Sequence, residues 1–481
     1  SITDEFSEVI SSEILFDKIS LVNSSSTDLV HEFNPEIHPA AVKEFTIVAM
    51  DKLGNTSQLT IPVDIRRILI KVNIPEEYRV SDNSKFWIFA SDEDGSTIDI
   101  KEAKSNSTLK LNSIAEFSET DQFALTFIEI SGSVNSSQVN DVFTVYNMTK
   151  SLPGIINLQP SKEFSGYDFR EYSLVGFDYC INLEGSGLDY FTSRNGDTST
   201  GVHTRTPLYN SQAATDEIYL TAFNTCRQEF SYKILDRPIP DQMELNLADF
   251  ITDGVSNSSL EFNELGLMEM TIHGFKTKEK YNTNSSHLLS RTSYNTQFST
   301  PQIPYFWISG FSDYRHSITI NSYTTERKGL PLANYEIPDW TVDHQLSNKT
   351  VTISATGTGH SVGKMMVNSI SKRNSNYLNW LLVYDSQQTS TLTLPELPDI
   401  LSPNQLSATF SNNDLEIYQT QVTGYEGILD YDDYLNSIIK DNKKYYDISD
   451  KTEAKYKFRE TGDPNVTNRP FIVGDYFLYR N

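Results

Sequence analysis

Helical periodicity is scarce in this sequence, and that scarcity limits the possible folds more than any other feature. Short runs of aromatic and β-branched residues recur along the chain, and Gly, Asn, Asp or Ser separates one run from the next. Such runs are typical of half-buried strands in a pleated sheet. Examples are EFTIVAM, RRILIKVNI, KFWIFAS, FALTFIEIS, EIYLTAF and YFWISGF. Because helix-length crossovers are missing, we expect an all-β chain of several β-sandwich domains in series rather than a parallel α/β sheet.

One segment near the C-terminal end of the sequence predicts a helix. In DYDDYLNSIIKDNKK, apolar residues recur at three- and four-residue steps, at Tyr431, Tyr434, Leu435, Ile438 and Ile439. This spacing places them on one helical face. Acidic residues from Asp430 stand at the start of the segment, and Lys443 and Lys444 stand at its end, which suits the helix dipole. We therefore expect one short C-terminal helix between Asp430 and Lys443 that caps a sheet.

The charge balance excludes several classes of partner. The chain has 39 basic and 64 acidic residues, and its net charge is −25. Contacts to phosphate need Lys and Arg, so we expect no nucleic-acid partner and no docking onto anionic lipid headgroups. No stretch approaches the roughly 18 consecutive apolar residues of a membrane-spanning helix. A chain with 26 Tyr and 26 Phe is also far too aromatic to be a disordered coil.

Turn signals and proline breaks divide the chain into four predicted units. We expect β domains at residues 1–65, 66–149 and 150–250, the third of which contains both cysteines. The remaining residues, 251–481, form a larger β-rich unit, within which Pro395 and Pro398 mark a rigid break.

The end of the first unit carries a recognisable hairpin. Its two strands flank a turn at residues 51–55, where Gly54 and Asn55 tolerate positive φ. The hairpin resembles the last hairpin of bacterial immunoglobulin-like domains. This chain has Met50 at the position where that pattern usually has Thr. The matching residues are Val48, Ala49, Asp51, Gly54 and Asn55. The resemblance implies an immunoglobulin-like unit at 1–65, although this length is short for a complete sandwich.

The composition resembles that of surface lipoproteins of Bacteroidetes-type bacteria, which are Asn-, Ser-, Tyr- and Asp-rich chains of serial β-sandwich domains. If Ser1 directly follows a lipidated cysteine, Asp4 and Glu5 stand where acidic surface-export signals occur in that group. The start at Ser1 without Met suggests a processed or trimmed chain. The resemblance implies that the protein is either exposed at the surface of the cell outer membrane or secreted. Membrane attachment is then expected only through an N-terminal lipid anchor.

Cys180 and Cys226 are the two cysteines of the chain, and each lies in a strand-like run. They either close one disulfide or remain two buried reduced thiols. Export of the chain would favour the disulfide.

We expect no cofactor. The eight histidines show no spacing typical of a metal site. Asp92, Asp94 and Asp99 could supply oxygen ligands to calcium, but the EF-hand register fails and a hairpin turn needs the same residue types. The segment 357–364, GTGHSVGK, lacks both ends of a phosphate-binding loop and is interpreted as a glycine-rich connection.

Exposed aromatic residues are the best candidates for binding. Trp87 and Trp380 lie in the middle of apolar strands and are interpreted as core. Tyr305, Trp307 and Tyr314 form a dense aromatic segment, and Trp340 lies in the turn-like segment NYEIPDWTVD. Aromatic rings serve both in protein interfaces and against sugar faces, so either partner class remains open.

We therefore predict a non-enzymatic cell-surface binding protein. The role that we predict for it is an accessory or scaffold subunit of an outer-membrane protein complex. The alternative is a surface glycan-binding protein for polysaccharide uptake. A second alternative is a glycan-active hydrolase, whose paired carboxylates would meet only in the fold; no nucleophile elbow is present in the sequence.

Overall fold

The structure is a computed structural model. It describes residues 7–76, 78, 84–131, 139–160, 164–186, 191–195, 202–209, 217–236, 242–263, 266–282, 285–295, 302–369, 377–401, 415–442 and 451–457. The chain is all-β, with several separate sheets, as predicted. Among the described residues, no helix is long and apolar enough to cross a membrane.

The first sheet contains the predicted hairpin. Its strands are β1 (Val9–Phe16), β2 (Ile19–Ser24), β3 (Ala41–Asp51) and β4 (Thr56–Ile65), in the antiparallel order β2-β1-β3-β4. Gly54 has φ +84° in the β3–β4 turn. Hydrogen bonds from Ser7 and Asn55 lower the pKa of Asp51 to about 2. This carboxylate therefore stays ionised and holds the turn closed.

The following strands, in chain order, are β5 (Arg67–Ile74), β6 (Ser84–Ser91), β7 (Thr97–Glu102), β8 (Ser107–Ser113), β9 (Phe123–Ser131), β10 (Val139–Met148), β11 (Ile155–Asn157), β12 (Phe164–Val175), β13 (Ile181–Ser186), β14 (Phe191–Asn195), β15 (Val202–Tyr209), β16 (Glu217–Asn224), β17 (Glu229–Asp236) and β18 (Gln242–Asn246). The next are β19 (Val255–Phe262), β20 (Leu267–Phe275), β21 (His287–Asn295), β22 (Gln302–Ile308), β23 (Asp313–Ile320), β24 (Tyr323–Lys328) and β25 (Asn334–Tyr335). The last are β26 (Thr341–Ser347), β27 (Thr350–Thr356), β28 (Val362–Ser369), β29 (Tyr377–Asp385), β30 (Thr391–Thr393), β31 (Leu415–Tyr425) and β32 (Lys451–Lys457).

A twelve-stranded sheet dominates the rest of the molecule. Its order is β21-β20-β23-β24-β32-β31-β28-β29-β10-β9-β6-β7. Strands β10 and β29 pair in parallel, from Val139 opposite Tyr377 to Val145 opposite Val383. This pairing joins strands from two of the predicted units in one sheet. The four-unit division itself stays a prediction, but one sheet continues across its boundaries.

Smaller sheets cover the twelve-stranded sheet. Sheet β11-β5-β8 encloses one core with β6, β9 and β10, and sheet β26-β27-β30 encloses a second core on the opposite face. Sheet β22-β19-β25 packs over β20 and β23. The region from β12 to β18 has its own core between the sheets β15-β12-β18 and β14-β13-β16-β17. Paired layers around a shared core are the arrangement of β-sandwiches.

The predicted C-terminal helix is present as α2 (Tyr431–Tyr434), which continues as a π-helical turn (Leu435–Ile439). Asp430 is its N-cap and accepts a hydrogen bond from the Asp433 amide at 2.8 Å. All five predicted apolar positions are buried against the core beneath sheet β11-β5-β8. The regular helix ends at Ile439, while Lys443 and Lys444 lie outside the described residues.

Short helical segments complete the described fold. They are α1 (Lys278–Asn282) and the 3-10 turns Pro35–Ile37, Leu247–Asp249 and Asp399–Leu401.

Candidate functional site

Two of the four aromatic candidates lie on β22. Tyr305 is only 4% exposed, and its hydroxyl donates to the Pro331 carbonyl at 3.2 Å. The Trp307 ring lies 5.4 Å from the Tyr305 ring and is half-buried over the same core. Between them, Phe306 points to the opposite side and stacks on Phe230 at 5.8 Å. Protein covers both faces of β22, so these rings contribute to the packing of the core. A binding role for them stays a prediction.

Tyr314 is also half-buried. Its hydroxyl donates to the Ile308 carbonyl at 3.2 Å and accepts from the Phe311 amide at 3.3 Å. Burial raises the pKa of Tyr314, so the hydroxyl keeps its proton. The side chain thereby closes the loop between β22 and β23, and its ring packs 6.1 Å from that of Phe311.

Trp340 lies on the loop between β25 and β26, as predicted, and its half-buried indole is closely fitted against neighbouring residues. Its Nε1 donates to the Thr358 carbonyl at 2.7 Å, and its ring meets the His360 ring edge-on at 5.4 Å. A Cβ on Gly357 would lie 2.5 Å from the indole Cδ1, and one on Gly424 would lie 2.8 Å from Cη2. The glycine-rich segment 357–364 therefore seats this indole. It leads into strand β28, as expected for a connection rather than a phosphate-binding loop.

A buried pair of side chains, His360 and Ser386, lies beside this indole, and no pattern in the sequence indicated it. The imidazole Nδ1 lies 2.7 Å from the Ser386 hydroxyl, and Nε2 lies 3.3 Å from the Thr356 carbonyl. Burial lowers the pKa of His360, which keeps the ring neutral. The Gln387 side chain donates to the His360 carbonyl at 2.8 Å. Both members of the pair are buried, so the arrangement locks two turns together and presents no nucleophile to solvent.

The acidic turn that could have held calcium has structural contacts. Asp94 accepts from the Ser96 amide at 2.8 Å, and Asp99 accepts from the Asn112 amide at 2.9 Å and from Lys101 Nζ at 3.1 Å. The Gly95 carbonyl accepts from the Glu396 amide at 2.8 Å. Among the described residues, no group of three or more His, Cys, Asp or Glu is placed to hold a metal ion. The turn is therefore docked against the segment after β30.

The two cysteines are joined in a disulfide with a Cα–Cα distance of 5.5 Å. Cys180 immediately precedes β13, and Cys226 lies in the turn after β16. Strands β13 and β16 are antiparallel neighbours, so the bond fastens one end of this pair.

Ionisable groups meet where sheet β14-β13-β16-β17 approaches β21. Glu184 Oε2 lies 3.7 Å from Arg291 Nε, and burial raises the pKa of Glu184 to about 7. His287 is buried against Tyr219, with ring centroids 5.0 Å apart, and burial lowers its pKa to about 4. Sequence spacing contained no signal for this cluster because its members lie on different sheets.

A shallow cleft of about 250 Å³ opens beside β5 and β8. Its lining is neutral and contains no aromatic ring: Asn73, Ile74, Pro75, Asn106, Ser107, Thr108 and Leu158. Asn73 is held by hydrogen bonds to Asn157 and Thr108, each of 2.8 Å. The cleft is therefore lined by amide and hydroxyl groups, and those of Asn73 and Thr108 are oriented by their hydrogen bonds to neighbouring side chains.

The largest unexpected feature is an apolar surface on the first sheet, here called the N-terminal face. The strand register aligns its side chains in two rows that cross the four strands. The first row contains Ile19, Phe16, Phe45 and Ile61. The second row contains Val22, Ile14, Ile47 and Leu59. Residues directly opposite one another on neighbouring strands point to the same side of a sheet. The exposed fractions are 68% for Ile19, 58% for Leu59 and 43% for Ile61.

The N-terminal face is covered only at one end by described residues. The loop between β2 and β3 brings Phe33 to 4.7 Å from Phe16 and 5.0 Å from Phe45, and His38 stacks on Phe33 at 4.9 Å. The first sheet pairs with no other described strand. Its reverse side is mixed, with Glu13, Gln58 and Thr60 among its residues. The sheet therefore has the one-sided apolar character of a sandwich layer, without a second layer over most of it.

Comparison with known proteins adds no family to this description. No protein-family model matches the chain, and no curated protein is significantly similar to it.

Proposed function

We propose that this protein is a non-enzymatic binding protein of the cell surface, and that it serves as an accessory or scaffold subunit of an outer-membrane protein complex. The N-terminal face carries this proposal. A contiguous exposed apolar patch on a folded protein usually marks an interaction site. Because the eight side chains of this face offer no hydrogen-bonding groups to sugar hydroxyls, a protein surface is the better complement.

Other features support binding rather than glycan hydrolysis. The Ser386–His360 pair is buried, and Asp430 caps the C-terminal helix. The carboxylates of Asp94 and Asp99 accept backbone hydrogen bonds. These polar groups therefore already have structural partners, while the N-terminal face has an open apolar surface. The outer-membrane location and the lipid anchor rest on the compositional resemblance alone.

The test is purification from the native membrane with a pair of variants. Ile61→Glu places a charge on the N-terminal face, while Thr60→Glu places the same charge on the reverse side of the same strand. Both sites are exposed, so neither change removes a core residue. We expect the proteins that co-purify with wild type to be lost with Ile61→Glu and retained with Thr60→Glu. The same partners with both variants would refute binding through this face.

Glycan binding is the second candidate function, and the neutral cleft beside β5 and β8 favours it. Its amide and hydroxyl groups suit an uncharged polar ligand, and the acidic protein would not repel a neutral sugar. Calorimetry with neutral oligosaccharides tests this directly. Binding that is lost in Thr108→Val but kept in Thr60→Val would support the cleft. Equal binding by both variants, or no heat with wild type, would exclude it.

A further inference from the structure

The sandwich formed by β12 to β18 rests on the edge strand β21 through one face of the sheet β14-β13-β16-β17. Side chains alternate along β16, so that Ala222 enters the sandwich's own core, whereas Tyr219 packs against Leu289 of β21. Thr221 lies on the same face as Tyr219, and the register of β13 places Glu184 opposite Thr221. This contact, here called the junction, therefore joins two layers that each have a core of their own.

The junction buries two ionisable side chains whose hydrogen bonding is incomplete. The Glu184 side chain is 14% exposed, and its Oε2 has no hydrogen-bond partner among the described residues. Arg291 Nε lies 3.7 Å away, beyond hydrogen-bonding distance. His287 on β21 is 2% exposed, and in the described part of the chain its Nδ1 also has no partner. Burial of such groups is tolerated while they are neutral and becomes costly when they are charged.

The charged neighbours of Glu184 do not remove this cost. Burial raises the pKa of Glu184 from 4.5 to about 7, while Arg291 on β21 lowers it and Glu269 on β20 raises it further. The residues opposite Glu184 on the neighbouring strands are Thr221 and Ser193, and neither has a titratable group. Glu184 is therefore protonated in the docked state at acidic pH. Its contribution to docking is lost as pH rises from 4.5 through about 7.

His287 responds to pH in the opposite direction. Its ring packs against that of Tyr219 on β16 at 5.0 Å, and burial lowers its pKa from 6.5 to about 4. The titratable and charged groups that act on it from neighbouring elements are Lys276, Lys280, Glu217 and His273. The lysines disfavour the imidazolium form, while Glu217 favours it. The contribution of His287 to docking is therefore lost as pH falls from 6.5 through about 4.

We propose that the junction is a pH-compensated joint, in which docking of the β12–β18 sandwich on β21 is strongest while Glu184 is protonated and His287 is neutral. Ionisation of either group favours release of the sandwich as a unit, with its own core and disulfide intact. The two groups titrate in opposite directions, so their effects offset each other between about pH 5 and about pH 8. Docking in wild type is then nearly constant over this range, although each group alone would make it depend strongly on pH.

Native-state thiol labelling of the full chain tests this joint. Thr221→Cys places a thiol on the junction face of β16, and Ala222→Cys places one in the sandwich's own core; the two native side chains are 4% and 2% exposed. Without reductant the native disulfide stays closed. Each labelling rate is divided by the rate of the same thiol in the urea-unfolded chain at the same pH. Release exposes only the first thiol, so Thr221→Cys should be labelled at least about tenfold faster than Ala222→Cys.

Variants of the two ionisable groups then reveal the compensation, with the Thr221→Cys thiol as the reporter. Glu184→Gln leaves only His287 to titrate, so labelling should rise at least about tenfold as pH falls from about 8 to about 5. His287→Gln leaves only Glu184, so labelling should rise at least about tenfold as pH rises over the same range. The chain with both native groups, and the double variant, should each change by no more than about threefold.

Equal labelling of Thr221→Cys and Ala222→Cys would overturn the joint, because the junction would then open only together with the sandwich itself. Single variants that show no pH dependence, or the same direction of change, would show that Glu184 and His287 do not control release. A chain with both native groups that varies with pH as strongly as the single variants would contradict the compensation. Circular dichroism verifies that each variant is folded. His287→Phe, which keeps a ring against Tyr219, should give the same pH profile as His287→Gln.

Discussion

The first sheet and the twelve-stranded sheet are built from the same kind of strand, but they differ in what covers them. In β10, the successive residues Val142 and Phe143 point to opposite faces and enter two different cores. In β3 and β4, Ile47 and Leu59 share one apolar face that lies largely open to solvent. Alternation thus determines which side chains share a face, while a second layer determines whether that face is buried.

The largest expected difference between the two regions is in the free energy of unfolding. Trp380 in β29 is 1% exposed, and its Nε1 donates to Thr144 at 2.9 Å. Trp380→Ala should cost about 3–5 kcal/mol through the cavity it leaves. Leu59→Ala, on the uncovered sheet of the monomer, should cost less than about 0.5 kcal/mol. Urea unfolding at low protein concentration measures both, and equal costs would contradict the comparison.

The disulfide gives the next largest effect. Replacing both Cys180 and Cys226 with Ala should lower the free energy of unfolding by about 2–4 kcal/mol, because the unfolded chain is no longer closed into a loop. Unfolding followed with and without reductant measures the loss. The double variant should be insensitive to reductant, and two freely alkylated thiols in native wild type would show that the bond does not form.

Trp340 distinguishes packing from ligand contact at one residue. Trp340→Ala removes an indole fitted between Gly357 and Gly424 and should cost about 1–3 kcal/mol. Trp340→Phe keeps one aromatic ring but loses the hydrogen bond to Thr358 and part of the packing of the indole, so a smaller loss of about 1 kcal/mol is expected. Thermal melting and partner pull-down on the same samples separate the two roles. Lost binding with an unchanged melting temperature would instead assign the indole to a ligand.

A smaller effect is the pH dependence of stability that comes from Glu184, which lies where sheet β14-β13-β16-β17 meets β21. Burial raises the pKa of Glu184 from 4.5 to about 7, so the folded protein binds more protons than the unfolded chain between these values. The contribution of this group to stability therefore falls as pH rises through that window. Relative to wild type, Glu184→Gln should gain about 1–3 kcal/mol between about pH 5 and about pH 8.

Denaturant unfolding across that range measures this gain in the Glu184→Gln variant. Glu229→Gln, a change at an exposed carboxylate on the nearby strand β17, controls for net charge. A stability difference between Glu184→Gln and wild type that stays constant with pH would show that Glu184 is ionised throughout.

Local periodicity was sufficient to predict the strands and the C-terminal helix. The five apolar residues of the helix follow its period, and Asp430 is a good N-cap by residue type, so both could be identified from neighbouring residues. The parallel pairing of β10 with β29 could not be predicted, because these strands are far apart in sequence and no local pattern specifies their register.

The candidate site was harder to predict than the fold. Tyr305 and Trp307 have the residue types of a binding surface, but the layers that cover β22 come from other parts of the chain. The seat of Trp340 likewise needs Gly357 and Gly424 from separate segments. The N-terminal face was visible as an alternating pattern, although the pattern could not show that most of the face lacks a second layer.

Hydroxyl-radical footprinting tests the central claim most directly, because it reports the solvent accessibility of individual side chains. The protein would be oxidised as dilute purified monomer and again within its native membrane assembly. We predict that Leu59 and Ile61 are modified strongly in the monomer and are protected in the assembly. Leu53, which is 78% exposed in the β3–β4 turn outside the N-terminal face, should be modified equally in both. Equal modification of Leu59 and Ile61 in the two states would contradict the account.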